Sequence, residues 1–142
     1  MKIVLGADHG GFELKRDVKN LLVKLQHEVV DVGCLSTASV DYPDYAEKAV
    51  SHIIDDSCEL GILICGTGIG MAITANRHFE IRAANCSSEF TAVMSREHNN
   101  ANVLCLGARA IDKDLALTVV QAWLRSEFAG GRHQRRIAKF SR

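Results

Sequence analysis

The sequence predicts an α/β fold with one doubly wound, five-stranded parallel sheet and helices on both faces. Strand-like apolar runs alternate with helix-like segments along all 142 residues, and this alternation is typical of a parallel sheet that is covered on both sides. An apolar fraction of 47% and a single proline argue against a disordered or collagen-like chain. At this length residues 1–142 are expected to form a single domain.

Five short apolar runs predict the strands, and capping or helical spacing predicts the helices between them. The predicted strands are Lys2–Ala7, Glu28–Val32, Leu60–Ile64, Ile81–Asn85 and Val103–Leu106. The predicted helices are Gly11–Gln26, Tyr42 to about Asp55, Ile69–Asn76, Ser88–Glu97, Leu115–Phe128 with Asp112 as its N-cap, and a short basic C-terminal helix after Gly131. This single-domain order is Rossmann-like, and ligands of such sheets bind beyond the carboxyl ends of the strands.

A net charge of zero hides a basic tail on an acidic body. Residues 130–142 carry five of the 17 basic side chains and none of the 17 acidic ones, so the other 129 residues have a net charge of −5. This asymmetry predicts an anion site or a surface that docks a second subunit. We expect no nucleic-acid partner, because aromatic residues are not interleaved with the basic ones and there is no second basic patch.

The cysteines and the first strand predict a cytoplasmic protein. The chain has five cysteines, which is an odd number, and no C-x-x-C pair, so a reduced compartment fits best. Asp8 and His9 interrupt the first apolar run, which argues against a secretory leader. No stretch reaches the ~18 unbroken apolar residues of a membrane helix, so no membrane partner is expected.

The turn after the third predicted strand is the strongest candidate for a functional site. The apolar run stops at Cys65, and Gly66–Gly70 then lead into the next helix. Glycines allow the backbone to approach a ligand closely, and a helix start presents free N–H groups and a positive dipole end. Both favour a thiolate at Cys65 and an oxyanion beside it. A buried structural cysteine beside a tight turn is the alternative.

The spacing of this turn argues against three other uses. A dinucleotide fingerprint needs G-x-G-x-x-G/A, but Met71 stands at the third small-residue position, and the next strand ends at Asn85 rather than at an acid. A Walker loop needs Gly-Lys-Ser/Thr, which the chain lacks. A C-x5-R phosphatase loop would need arginine where Met71 stands.

Three other groups of polar residues are candidates. Asp8 and His9 follow the first strand and could handle hydroxyl protons and a phosphate, although an N-cap and a solvent-facing histidine are the alternative. His98 ends a helix, where it could be a general acid or simply a favourable C-terminal residue. Arg132 and Arg136 would share one helix face and could grip a phosphate, or they could belong to a solvated tail.

Nine ordered segments together resemble a known family, and they span almost the whole chain. They are Gly6–Phe12, Asp41–Pro43, Ile64–Gly70, Ala75–Arg77, Ile81–Ala83, Glu97–Asn99, Asn102–Leu104, Leu106–Arg109 and Gly130–Arg136. In content and spacing they are similar to the type B ribose-5-phosphate isomerases and their galactose-6-phosphate isomerase relatives. Several motifs in order are far more specific than any single one.

The resemblance implies a metal-free aldose–ketose isomerase without a cofactor. It would interconvert ribose 5-phosphate and ribulose 5-phosphate through an enediolate, in the non-oxidative branch of the pentose phosphate pathway. The family's cysteine at the Cys65 position is the carbon base, and its histidine at the His98 position opens the sugar ring. Some relatives use a glutamate base at the slot that Met71 holds here, so this chain resembles the cysteine type.

The resemblance also implies roles for the other candidates. The oxyanion would be held by backbone N–H groups of Gly66, Thr67, Gly68, Ile69 and Gly70, and Thr67 would shape that turn for catalysis. Asp8 and Asn99 would contact sugar hydroxyls, and Asp8 would also take part in catalysis. The remaining substrate-binding residues, chiefly for the phosphate, would be His9, Arg109, Arg132 and Arg136. The histidines show no metal-ligand spacing, so no metal is expected.

Topology predicts that these residues do not meet within one chain. Asp8 and Cys65 end strands, whereas His98 ends a helix and precedes the fifth strand, so roughly 15–17 Å of strand should separate them. We therefore predict a homodimer in which His98 and Asn99 complete the partner's site and the tail, residues 130–142, lies at the subunit interface. Whether dimers pair further into tetramers is left open.

Three other functions stay open at this point. An isomerase of a six-carbon sugar phosphate, such as allose or galactose 6-phosphate, would need a longer pocket but the same chemistry. A non-catalytic sugar-phosphate or nucleotide-binding module would need neither Cys65 nor His98. A basic-tailed structural protein would leave Asp8 and His9 unexplained.

Overall fold

The predicted fold class is confirmed by the computed structural model, which describes residues 1–141. The strands are β1 (Lys2–Ala7), β2 (Glu28–Asp31), β3 (Leu60–Cys65), β4 (Ala83–Asn85) and β5 (Val103–Gly107). All pair in parallel, in the order β2-β1-β3-β5-β4. Arg142, the last residue of the basic tail, lies outside the described residues.

Helices cover both faces of this sheet. They are α1 (Phe12–Lys24), α2 (Tyr42–Ile54), α3 (Ile69–Ala75), α4 (Glu89–Glu97), α5 (Lys113–Arg125) and α6 (Arg132–Ile137). The core between the sheet and α1, α4 and α5 is separate from the core between the sheet and α2 and α3. Within residues 1–141, every helix is too short or too polar to span a membrane.

The central strands are apolar on both sides, as a doubly covered sheet requires. All six residues of β3 and all five of β5 are buried. Along β3, Ile62 and Ile64 point to the α1 side, whereas Leu63 and Cys65 belong to the α2 side. Cys65 therefore ends a strand that the core holds from both faces.

The winding of the chain opens crevices on both sides of β3. After β1 and β5 the chain passes to α1 and α5 on one face, but after β3 it passes to α3 on the other. Such switch points are where ligands bind in open α/β sheets. The register pairs Ala7 with Ile64 and Cys65 with Gly107, so the turns after β1, β3 and β5 lie side by side.

Side-chain hydrogen bonds explain where the strands and helices differ from the predicted bounds. β4 lacks its first two predicted residues, because the N–H of Arg82 donates to Asn102 Oδ1 rather than to a neighbouring strand. α5 ends three residues early, since Ser126 is extended at ψ 143° and turns its hydroxyl back to a helix carbonyl. The predicted N-cap at Asp112 is confirmed, because its Oδ1 accepts the N–H of Leu115 at 2.8 Å.

Candidate active site

Asp8 ties the end of β1 to the end of β3. Its backbone N–H donates to the carbonyl of Ile64 at 3.2 Å. Its Oδ1 accepts the N–H groups of Gly10 and Gly11 at 2.9 and 3.2 Å, which caps the short 3₁₀ turn that precedes α1. Within residues 1–141 its Oδ2 has no hydrogen-bond partner, so one oxygen of this buried carboxylate is available to a ligand.

The Cys65 sulfur lies under the glycine turn and accepts a backbone hydrogen bond. The N–H of Gly68 donates to Sγ at 3.1 Å. Gly68 can do so because it adopts φ +79°, a conformation that glycine reaches without steric cost. A Cβ at this position would lie 2.4 Å from Asn85 Oδ1, so the space also excludes a side chain. An N–H donor is bound more strongly by a charged sulfur than by a neutral one, and this geometry therefore suits a thiolate.

The turn leaves only some of its N–H groups for a substrate. Besides the N–H of Gly68, the N–H of Ile69 is engaged, because it donates to Thr67 Oγ1 at 3.2 Å. Within the described chain, residues 1–141, the N–H groups of Gly66 and Gly70 have no hydrogen-bond partner. The five expected oxyanion donors thus differ in kind: the N–H groups of Gly68 and Ile69 shape the turn, whereas those of Gly66, Thr67 and Gly70 have no partner within residues 1–141 and are free to bind a ligand.

The other four cysteines differ from Cys65 in what they do. Burial raises the pKa of the thiols of Cys34, Cys58, Cys86 and Cys105, most strongly for Cys105, which is fully buried beside Cys65 and Cys86. The Cys34 and Cys86 thiols donate hydrogen bonds to carbonyls, as neutral groups do. Within residues 1–141, none of these four sulfurs accepts a backbone N–H as Cys65 does.

Arg109 and His9 stand beside the same turn. The N–H of Arg109 donates to the carbonyl of Gly66 at 2.9 Å, and its guanidinium lies over two glycines. A Cβ would lie 3.1 Å from Nη1 at Gly66 and 3.6 Å from Nη2 at Gly10. His9 Nδ1 accepts the N–H of Val40 at 3.2 Å, so in the neutral ring the proton is on Nε2. A guanidinium and an imidazole N–H are both suited to phosphate.

A second group of candidates forms around His98. This residue caps α4, and its N–H donates to Met94 O at 2.9 Å. Its ring stacks on His133 of α6 with 4.2 Å between centroids and 12° between planes. The stacking brings α6, with Arg132 and Arg136, to the end of α4, where the exposed Asn99 follows His98.

The structure therefore divides the candidates into two half-sites. The Cys65 half-site, at the carboxyl ends of the strands, consists of Asp8, His9, Cys65, Gly66–Gly70 and Arg109. The His98 half-site consists of His98, Asn99, Arg132 and Arg136. Because α4 ends before β5 begins, whereas Cys65 pairs with the last residue of β5, the whole of β5 lies between them.

Three residues that the sequence reasoning did not assign also line the half-sites. A Cβ at Gly70 would lie 2.6 Å from the Tyr42 ring, which thus covers the glycine turn. Asn85 Nδ2 donates to Thr67 O at 3.3 Å. Desolvation and the nearby charges of His98, Arg132 and Arg136 lower the pKa of His133. The sequence did offer a signal for each of them. Tyr42 and His133 lie inside segments that resemble the family, and Asn85 lies at the end of a strand, where ligands bind in such sheets.

The described residues contain no cluster of side chains that could bind a metal ion. Within the part of the chain that the structure describes, no three or more His, Cys, Asp or Glu side chains are placed to hold a metal ion. That the reaction needs neither metal nor cofactor stays a prediction from the resemblance.

Known proteins match this chain over nearly its whole length. The ribose-5-phosphate isomerase B of Escherichia coli (strain K12) is 44% identical over 136 residues, which are 96% of this chain and 91% of that protein. The structure of Clostridium thermocellum ribose-5-phosphate isomerase B has a TM-score of 0.98 at 49% identity and covers 99% of this chain and 95% of its own. That of the Mycoplasma genitalium ribose-5-phosphate isomerase B, with bound ribulose-5-phosphate, has a TM-score of 0.93 at 42% identity, over 97% and 92%. The family model described as Ribose/Galactose Isomerase matches residues 3–140. The predicted resemblance is confirmed, and the chain belongs to the ribose/galactose isomerase family.

Proposed function

We propose that this protein is a ribose-5-phosphate isomerase that interconverts ribose 5-phosphate and ribulose 5-phosphate. The observation that carries the proposal is the Cys65 sulfur, which accepts the Gly68 N–H at 3.1 Å in a turn to which the backbones of Asp8 and Arg109 are hydrogen-bonded at Ile64 and Gly66. The activity named for the Escherichia coli relative and the ketose bound to the Mycoplasma genitalium relative support this substrate. The reaction itself needs a base that can reach a carbon beside a stabilised oxyanion.

Binding and ring opening come first in the proposed reaction. The phosphate is held by His9 and Arg109 from one half-site and by Arg132 and Arg136 from the other. Asp8 Oδ2 and the Asn99 amide hold sugar hydroxyls. His98 donates a proton to the ring oxygen as the bond between C1 and that oxygen breaks, and the anomeric hydroxyl loses its proton to water, so that the cyclic aldose opens to its aldehyde.

The proton transfer then takes place at Cys65. Its thiolate removes the proton from C2 of the open aldose, the C–H electron pair forms the C1–C2 double bond, and the carbonyl oxygen on C1 becomes an oxyanion. The free N–H groups of Gly66 and Gly70 bind that oxygen. The thiol then returns the proton to C1 while the O2 hydroxyl proton passes to O1. The product is the ketose, and no electron acceptor is needed.

The two half-sites meet, in this proposal, across a two-fold dimer. His98, Asn99 and α6 of one chain complete the site at Cys65 of the other, and the interface is the same patch on both subunits. The basic tail, residues 130–142, lies at that interface. The single domain, the cytoplasmic location and any further pairing into tetramers stay predictions from the sequence.

Exposed apolar side chains beside both half-sites support the dimer. Ile69 and Ile73 lie one turn apart on α3 and are 54% and 63% exposed. Phe79 and Phe140 are also exposed and line a cavity of about 510 Å³ that reaches Asn99. Clusters of apolar surface are typical of sites that another protein covers.

The substrate is tested by offering the purified protein ribose 5-phosphate, allose 6-phosphate and galactose 6-phosphate and following ketose formation, with and without EDTA. We expect the highest kcat/KM with ribose 5-phosphate and no effect of EDTA. Faster turnover of a six-carbon sugar would identify a six-carbon isomerase. No ketose from any of the three sugars would favour a binding module.

The shared site is tested by mixing inactive chains. Cys65→Ala and His98→Ala chains are unfolded together and refolded at equal amounts. Random pairing makes half of the dimers mixed, each with one intact site, so about a quarter of the wild-type activity should return. Persistent inactivity in verified mixed dimers contradicts the shared site.

A further inference from the structure

The turn that follows His98 carries backbone carbonyls that no helix hydrogen bond uses. Asn100 adopts φ +46°, and its N–H donates to Arg96 O at 3.0 Å while the N–H of Ala101 donates to Ser95 O at 2.9 Å. This closes α4 and reverses the chain toward β5. The reversal turns the carbonyls of Asn100 and Ala101 away from the helix, so they need donors from elsewhere.

Arg82 supplies one of those donors. Its Nε donates to the Asn100 carbonyl at 2.8 Å. Its backbone is fixed on both sides by Asn102, whose Oδ1 accepts the Arg82 N–H at 2.8 Å and whose N–H donates to Arg82 O at 3.1 Å. The guanidinium therefore reaches the turn from a rigid base at the edge of the sheet.

Arg96 supplies the other. Its Nη1 donates to the Ala101 carbonyl, and its guanidinium lies 5.3 Å from the centre of the fully buried Trp123 ring. The aromatic face keeps that guanidinium in place beneath the turn. Two arginines thus hold two successive carbonyls, two and three residues beyond His98.

This arrangement is costly, which indicates that the turn needs it. Within residues 1–141 neither guanidinium forms an ion pair with a carboxylate. Burial lowers the pKa of both, and at Arg96 the charge of Arg82 lowers it further. Nε of Arg96 is buried without a hydrogen-bond partner. Like charges this close are unfavourable unless the carbonyls between them offset the repulsion.

We infer that Arg82 is a positioning residue for the His98 half-site. By holding the Asn100 carbonyl it sets the path of the chain through Asn99, and with it the orientation of the His98 ring against His133. In this inference Arg82 acts through the backbone of the turn and not through contact with the substrate. The inference rests on the proposed role of His98 in ring opening. It identifies the residue that holds the His98 imidazole in the orientation needed for that role.

The experiment compares Arg82→Met with Arg125→Met. Arg125 is a surface arginine whose ion pair with Glu89 is long, at 3.9 Å, so its variant controls for the loss of a positive charge. Both are assayed with ribose 5-phosphate, and the contacts between the His98 and His133 rings are measured by NMR. For Arg82→Met we expect weakened ring contacts, unchanged amide signals at Gly68 and Ile69, and a kcat lowered about 10- to 100-fold. Arg125→Met should match the unaltered protein.

Two results would overturn the inference. A folded Arg82→Met protein with normal kcat, or with lowered kcat but intact ring contacts, overturns it. If Arg82→Met does not fold, Arg82→Lys takes its place; a lysine reaches one carbonyl without the planar fork, so the same two readouts should change in the same direction but less. Absence of ketose from the unaltered protein counts against the proposed function instead, because the ring contacts can be measured without turnover.

Discussion

The two half-sites are built by different means. Cys65 is 5% exposed at the end of a strand that is buried on both faces, and its hydrogen bonds run to backbone groups. His98 ends a helix and is held by a stacked ring and by a turn that two guanidinium side chains fix. The base of the proposed reaction is thus placed by the core. The acid is placed instead by side-chain contacts at the end of a helix, where a subunit interface can complete the site.

The largest effect is expected from the substitution that removes the base. Cys65→Ala should lower kcat by about 10³-fold, because a positioned base typically contributes 10²- to 10⁴-fold, while ribose 5-phosphate binding measured by calorimetry changes little. Cys58→Ala is the matched control, since Cys58 is a buried cysteine that precedes β3 at its other end. Substantial turnover by the Cys65→Ala protein would reject the assignment of the base.

The next effect tests whether the backbone holds the Cys65 half-site. Gly68→Ala places a Cβ at φ +79° within 2.4 Å of Asn85 Oδ1, and we expect about 3 kcal/mol less stability in urea denaturation, from strain and overpacking together, with a lowered kcat. Gly130→Ala is the control at φ +66°, where a Cβ meets no atom within 4 Å, and it should cost about 1 kcal/mol. Equal losses at the two sites would show that packing around Gly68 is unimportant.

A smaller effect separates binding from chemistry in the His98 half-site. Arg136→Gln should raise KM for ribose 5-phosphate about 10- to 100-fold with little change in kcat, because a phosphate contact made equally in the ground and transition states affects binding alone. Arg135→Gln removes the neighbouring exposed charge and should leave KM within about twofold. If both variants change KM alike, the specific phosphate contact of Arg136 is wrong, because the overall positive charge of the tail would then account for binding.

The smallest effect is expected from Asp31, which lies outside the Cys65 half-site and supports the loop that reaches His9. Asp31 accepts hydrogen bonds from Lys15, Lys19 and the N–H of Gly33, and Lys15 also donates to Cys34 O. This network holds the start of the loop that leads to Val40, the donor to His9. Burial would raise the pKa of Asp31, but the hydrogen bonds and the charge of Lys15 outweigh it and lower that pKa below its usual value of 3.8.

The stability that Asp31 contributes is therefore present above pH ~4 and is lost as the pH falls through the lowered pKa. Asp31→Asn should cost about 1 kcal/mol at pH 7, a figure that allows for the partial exposure of the group, and almost nothing at pH ~2. Urea denaturation at the two pH values measures this. Asp17→Asn, which alters only a surface pair at 3.9 Å, should change little at either pH.

Residue pattern was enough for the features that depend on neighbours along the chain. The apolar runs placed four of the five strands to within a residue at each end, Asp112 was found as a cap, and Cys65 was found at the start of a glycine turn. Pattern did not reveal the shortened β4, because nothing in the local sequence shows that the N–H of Ile81 donates to His78 O and that Arg82 bonds to the side chain and backbone of Asn102. It also could not tell which N–H groups of the turn stay free, since that depends on where Sγ and Thr67 Oγ1 point.

The sequence by itself determined the fold class, the polar residues that follow the first, third and fifth strands, and the family. Periodicity and ordered motifs can be seen along the chain without its tertiary structure. Only the tertiary structure decided the strand order, in which β5 separates β3 from β4, the stacking of His133 on His98, and the grip of Arg82 on the turn beyond it. Those contacts join residues 18 to 35 positions apart in the chain. Their geometry follows from how the sheet and helices pack, and no spacing along the chain encodes it.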